Sequence, residues 1–149
     1  ALVNKSFYNN PRRTTTGINL NRLHQILAVL EKHLKLKLSD HDCYLAAAGG
    51  FEINDPSSDL GIAIAVLSSL LDKAPLSNSS FIGELGLSGQ LRQAKDLAIK
   101  IEESIRLGYE NILIPKTKYE FSDQFNQKIK IIEVSHIRQA LDISLQNNI

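Results

Sequence analysis

The 149-residue sequence contains no methionine and a single cysteine, Cys43. A lone thiol excludes an internal disulfide and any CxxC zinc site. Cys43 opens an apolar run to Ala48 that reads as a buried strand, so packing rather than reactivity is expected of it. No apolar run approaches the roughly 20 residues that cross a bilayer. No secretory leader opens the chain, so the expected setting is cytoplasmic, with no membrane partner. The absence of methionine, together with an opening "ALVNKSFY" that reads as mid-strand, points to a piece of a longer protein. There is no Gly-x-x-x-x-Gly-Lys-[Ser/Thr] loop, so the usual backbone cradle for nucleotide phosphates is missing from this stretch. No run of aromatic residues suggests base stacking.

What is present is an ordinary globular composition, 43% hydrophobic and 22% charged. That is enough chain for one domain over residues 1–149 with a core of its own. The net charge of +1 hides an asymmetry. Residues 1–38 carry seven basic residues (Lys5, Arg12, Arg13, Arg22, Lys32, Lys35 and Lys37) against the single acid Glu31. The remaining residues hold ten basic and fifteen acidic side chains. A basic face on a near-neutral body is the physical reading; a lopsided solvated surface is the plain alternative.

Hydrophobic spacing outlines the elements. Residues 2–8 read as a strand and 9–17, "NNPRRTTTG", as a polar loop. Asn19 caps a helix to about Lys35, with Leu20, Leu23, Ile26, Leu27, Leu30 and Leu34 on one face. A strand over 43–48 ends at Gly49-Gly50. "FIGELGLSGQLR" (81–92) reads as strand, tight turn at Ser88-Gly89 and return strand. A helix over 94–107 is closed by Gly108. Residues 111–115 form a short buried strand, 116–127 a polar loop and 128–134 another strand. Ser135 caps a last helix. The fold class is α/β (mixed α+β), with a mixed sheet packed by helices.

The stretch "NDPSSDLGIAIAVLSSLL" (54–71) carries the chemical question. Asp55 is a good N-cap and Pro56 suits the first helical position. The helix that follows is apolar nearly all round and should be central. Ser57 sits where unpaired N–H groups favour a developing oxyanion. A serine nucleophile needs a base. His24, His33, His41, His136 and the lysines are candidates, and no spacing ties any of them to Ser57. A structural helix start explains the stretch equally well.

Residues 56–71 followed by 83–116 resemble the proteolytic domain of Lon proteases. That family sets its nucleophile at the head of a small-residue helix and its base lysine on a later one. The resemblance implies that Ser57 holds the nucleophile's place. The lysine's place falls on Ala98, whose methyl takes no proton. Lys100, two positions on, should point away from that face. Lys95 is the remaining candidate for a relocated base. Asp55 and Asp59 stand where the family has glycines.

"NPRRTTTGINLNRLHQILAVLEKH", "DPSSDLGIAIAVLSSL" and "FIGELGLSGQLR" together resemble the C-terminal, Lon-like domain of the bacterial RadA (Sms) recombination and repair proteins. That resemblance covers about residues 2–134. It implies a homo-oligomer, hexameric in the family. It also implies a DNA partner, single-stranded or branched, held through its backbone. The family's DNA-dependent ATPase, with its ATP, Mg and Zn, lies in parts outside this chain, leaving this chain without cofactor, metal or catalysis of its own. Arg12 and Arg13 in the loop, Arg22 in the first helical turn, and Lys32 and Lys35 are the DNA-binding residues it suggests. A cation in a first helical turn is poorly placed unless an anion faces it, a phosphate or a neighbouring subunit's acid. Three readings stay open: a DNA-contacting scaffold, a peptidase using Ser57 with Lys95, and a purely structural assembly module.

Overall fold

A computed structural model describes residues 1–145. It contains strands β1 (Leu2–Lys5), β2 (Arg13–Thr16) and β3 (His41–Ala46), with helix α1 (Leu20–Leu34) between the last two. Helix α2 (Asp59–Leu71) follows, led in by one 3-10 turn over Pro56–Ser58. Then come β4 (Ser79–Phe81), β5 (Glu84–Leu85), β6 (Leu91–Arg92), α3 (Leu97–Arg106), β7 (Asn111–Pro115), α4 (Asp123–Lys128), β8 (Lys130–Val134) and α5 (Ile137–Leu145). The class is mixed α/β, as expected. The single mixed sheet resolves into a three-stranded mixed sheet, β1-β3-β2, a three-stranded parallel sheet, β4-β7-β8, and the hairpin β5-β6.

Helix α1 matches its expected limits. Asn19 accepts the Arg22 N–H at 3.2 Å, and Lys35 closes the helix in the left-handed region at φ 55°. Leu23, Ile26, Leu27, Val29, Leu30 and Leu34 form its buried face. Helix α2 is the centre of the domain, with Leu60, Ile62, Ala63, Ile64, Val66 and Leu67 all buried. Full burial of each large aliphatic side chain stabilises by roughly 1.5–3 kcal/mol. The Ser69 hydroxyl accepts the Val3 N–H at 2.8 Å, which docks β1 on this helix. Strand β7 separates two apolar clusters by its two-residue period. Leu113 faces the main core, while Ile112 and Ile114 join Ile101 and Ile129 in a second cluster.

Four local expectations are corrected. The stretch 9–17 is not all loop, because Arg13–Thr16 pairs in parallel with β3. Residues 116–127 include most of α4, a helix of six residues. Phe81 belongs to β4 in the parallel sheet, and the hairpin starts only at Glu84, with Gly83 between them. At α5 the side-chain cap comes from His136, whose Nδ1 accepts the Arg138 N–H at 3.2 Å, not from Ser135. No helix among the described residues is long and apolar enough to cross a membrane.

Candidate functional site: the serine turn and the basic edge

The head of α2 is built from short polar contacts. Asp55 accepts the Ser57 N–H at 2.9 Å through Oδ1, and the Ser58 hydroxyl donates to the Asp55 carbonyl at 2.7 Å. The Ser57 carbonyl accepts the Gly83 N–H at 2.8 Å, and the Gly83 carbonyl accepts the Leu60 N–H at 3.0 Å. Ser57 is therefore buried and clamped between its own helix and the strand leading to the hairpin.

Asp59, two residues on, is 1% exposed and ionically paired. Its Oδ1 accepts from Arg22 Nε at 2.7 Å, and Oδ2 receives both Arg22 Nη2 and, at 2.9 Å, the Leu85 N–H. The partner expected for Arg22, a phosphate or an acid of a neighbouring subunit, is instead Asp59 of its own chain. Hydrogen bonding to Asp59 raises the Arg22 guanidinium above its usual pKa, against the opposing effect of burial. The pair ties the first turns of α1 and α2 to β5. An acid in the first turn of α2 also sits well in the helix dipole.

Lys100, expected only to face away from Ala98, reaches the serine turn. Its ammonium lies 2.9 Å from Asp55 Oδ2 and donates to the Lys95 carbonyl at 2.7 Å. The Lys100 hydrogen bond, then the Ser57 N–H, hold the Asp55 carboxyl down at about 2. Lys95 is exposed, and its side chain makes no hydrogen bond or ion pair among the described residues. Ala98 lines an apolar groove with Leu97, Ile99, Tyr119 and Phe121. A 350 Å³ cleft opens beside the serine turn, lined by Asn19, Arg22, Gln25, Asn54, Asp55 and Ile62 among others.

Most basic residues of the first third lie toward one end of the β1-β3-β2 sheet, while Arg22 sits in the first turn of α1. Lys5 lies opposite His41 on β3, and Arg13 opposite Cys43. The acids of this region are already committed. Glu31 accepts the Leu38 and Ser39 N–H groups at 2.7 and 2.6 Å. Asp40 pairs with Lys37 at 3.1 Å and with His41, and the Lys37 hydrogen bond holds its carboxyl below the usual range. Asp42 is buried and accepts the Arg12 N–H at 2.6 Å, which lowers its pKa.

The two loop arginines differ. Arg13 starts β2 and donates to the carbonyls of His41 and, at 2.8 Å, Leu38. Arg12 is exposed, with its guanidinium 4.3 Å from the centre of the Tyr8 ring. Lys5, Arg12, Lys32 and Lys35 are exposed and make no ion pair among the described residues. Sequence reasoning missed the aromatic members of this edge, Phe7 and Tyr8, although "FYNNPRR" placed them within reach of the arginines. No group of three or more His, Cys, Asp or Glu side chains is placed to hold a metal ion among the described residues.

The chain is thus a mixed α/β domain with a buried helix-head serine and an edge where cations outnumber acids. The chain belongs to the family whose model is described as subunit ChlI of Mg-chelatase, which matches residues 24–118. Its full-length relatives are more informative. It is 40% identical over 148 residues to the DNA repair protein RadA of Synechocystis sp., covering 99% of this chain and 29% of that protein. It is 39% identical over 145 residues to the DNA repair protein RadA of Listeria monocytogenes, covering 97% of this chain and 32% of the relative. For the Streptococcus pneumoniae protein of the same name the figures are 38% over 141 residues, 95% and 33%. The match falls in the C-terminal part of these relatives, of which the chain spans about a third.

Proposed function

We propose that this chain is the DNA-contacting and self-assembling domain of a RadA-type DNA repair protein, with no catalysis of its own. In this reading the rest of the protein forms a hexameric, DNA-dependent ATPase in the cytoplasm. That assembly acts on recombination intermediates and promotes branch migration. ATP, Mg and Zn belong to those other parts. The domain itself is a Lon-type scaffold whose nucleophile position, Ser57, has become structural.

One observation carries the reading. Cations outnumber acids at this edge: Glu31, Asp40 and Asp42 stand against Lys5, Arg12, Arg13, Lys32, Lys35 and Lys37, and Lys5, Arg12, Lys32 and Lys35 are exposed with no ion pair among the described residues. Unpaired cations at one end of a small domain make a field that attracts phosphate backbone. Arg13 and Arg22, both held inside the chain, take no direct part in this version. The test is fluorescence anisotropy of labelled single-stranded DNA at low and moderate salt, with the mass of the chain measured in parallel. Binding that weakens with salt supports the proposal. No binding at low salt by an assembled, folded chain leaves a structural module only.

The peptidase reading keeps one observation in its favour, the approach of Lys100 to within one carboxylate of Ser57. The chemistry runs against it. An ammonium already donating to Asp55 and to the Lys95 carbonyl has no lone pair with which to take the hydroxyl proton. Ser57-dependent labelling by a serine-reactive probe would restore that reading.

A further inference from the structure

Phe7 is 95% exposed, the most exposed large apolar side chain among the described residues. Tyr8 beside it is 56% exposed. Single exposed apolar side chains are common, and it is the pairing of two exposed rings beside exposed cations that singles out this loop. The loop that presents it is pinned at both ends. The Ser6 N–H donates to the Asp40 carbonyl at 2.9 Å, and the Ser6 hydroxyl accepts the Tyr8 N–H at 3.1 Å. On the returning side the Arg12 N–H is fixed to Asp42. The Arg12 guanidinium covers one face of Tyr8, which leaves Phe7 as the free ring at the tip.

We propose that Phe7 is a stacking platform for an unpaired base of single-stranded DNA, with Tyr8 and Arg12 forming a second plane beside it. The inference rests on the DNA-contacting reading above and names the contact that makes it selective for single strands. Charge complementarity chooses nucleic acid over a protein partner. The cations next to the loop are Lys5 and Arg12, and the nearby acids Asp40 and Asp42 are already bonded. Aromatic rings alternating with cations are the arrangement that holds single strands without reading sequence, because every base has a π face and every link a phosphate. Base pairing hides those faces, so duplex DNA can use only the cations.

The chain contains no tryptophan, so Phe7→Trp installs a single emission reporter at the tip. The experiment titrates labelled oligo-dT and a duplex of equal length against wild type, Phe7→Ala, Phe7→Trp and Arg12→Ala, with oligomer mass followed throughout. Phe7→Ala is expected to weaken single-strand binding about 5- to 150-fold at constant salt slope, and duplex binding far less. Phe7→Trp should bind at least as tightly as wild type, with its emission quenched by the strand. Arg12→Ala should reduce the salt slope instead.

Wild type that binds while Phe7→Ala binds equally well overturns the inference and leaves the DNA-contacting reading intact. So does unquenched emission in bound Phe7→Trp. A Phe7→Ala change that alters oligomer mass but not affinity also overturns it, assigning the tip to contact between copies. Wild type that fails to bind any DNA at low salt ends both readings together. The side chain lies outside the core, so its removal leaves the fold available for each comparison.

Discussion

Arg22→Ala should destabilise this domain far more than a half-exposed arginine normally would. The substitution removes two hydrogen bonds from Asp59 and leaves a carboxylate that is 1% exposed with only the Leu85 N–H for company. Breaking a buried ion pair from one side costs about 3–5 kcal/mol. The Arg22 side chain is 30% exposed, so water can partly replace it, and the lower end applies, about 3 kcal/mol. For a domain of this size that is a fall in Tm of roughly 6–12 °C. Urea melts followed by circular dichroism give the number directly. The double variant Arg22→Met/Asp59→Asn removes both charges and keeps an acceptor for the Leu85 N–H. It should lose less than Arg22→Ala alone, which a double-mutant cycle measures as coupling. An Arg22→Ala loss below about 1 kcal/mol, or a double variant at least as unstable as the single, would refute a buried charge held by this pair.

Other consequences follow from the same geometry. Asp55 has its folded pKa depressed to about 2, so its contribution is present above its ordinary value and is lost as pH falls toward 2. In Lys100→Ala the Asp55 carboxyl should titrate closer to its ordinary value and stability should vary less with pH in that window, as read by NMR of the carboxyl carbon. Gly17→Ala should cost more stability than Gly50→Ala. Both glycines have positive φ, +74° and +71°, but a Cβ at Gly17 would lie 2.3 Å from the Phe51 carbonyl oxygen while Gly50 has nothing within 4 Å. Gly50→Ala should cost about 1 kcal/mol and Gly17→Ala visibly more in the same urea melts. Ile101→Ala, at the heart of the second cluster, should cost about 2–5 kcal/mol by denaturation.

The long elements were legible because their burial follows a period. The leucines of α1 recur every three or four positions, and "NILIP" is short, apolar and stopped by proline. Strand β2 was illegible because "RTTT" is half-exposed and polar; what makes it a strand is the neighbouring edge of β3, which no local pattern reveals. Helix α4 has six residues and no apolar stripe to recognise. In the site, the misplacement of a cation in the first turn of α1 signalled that Arg22 needs an anion. Its identity could not be read, because Asp59 lies 37 residues away and meets it only once α1 and α2 cross. The meeting of Lys100 with Asp55 was illegible for a related reason. Regular helix starts at Leu97, not Ala94, and a four-carbon side chain reaches past the angle of its own Cβ. The aromatic tip was visible as letters, and its exposure only as structure.

Under the proposed function, cations of the basic edge, and not the serine turn, are what this domain offers to a partner. The most direct measurement is the salt dependence of single-stranded DNA affinity for wild type, Ser57→Ala and Arg12→Ala/Lys32→Ala/Lys35→Ala. Ser57→Ala should bind as wild type does, while the triple variant should bind more weakly, with a slope of log affinity against log salt shallower by about 2. Equal slopes and affinities for the triple variant and wild type, at concentrations where wild type binds, would contradict it.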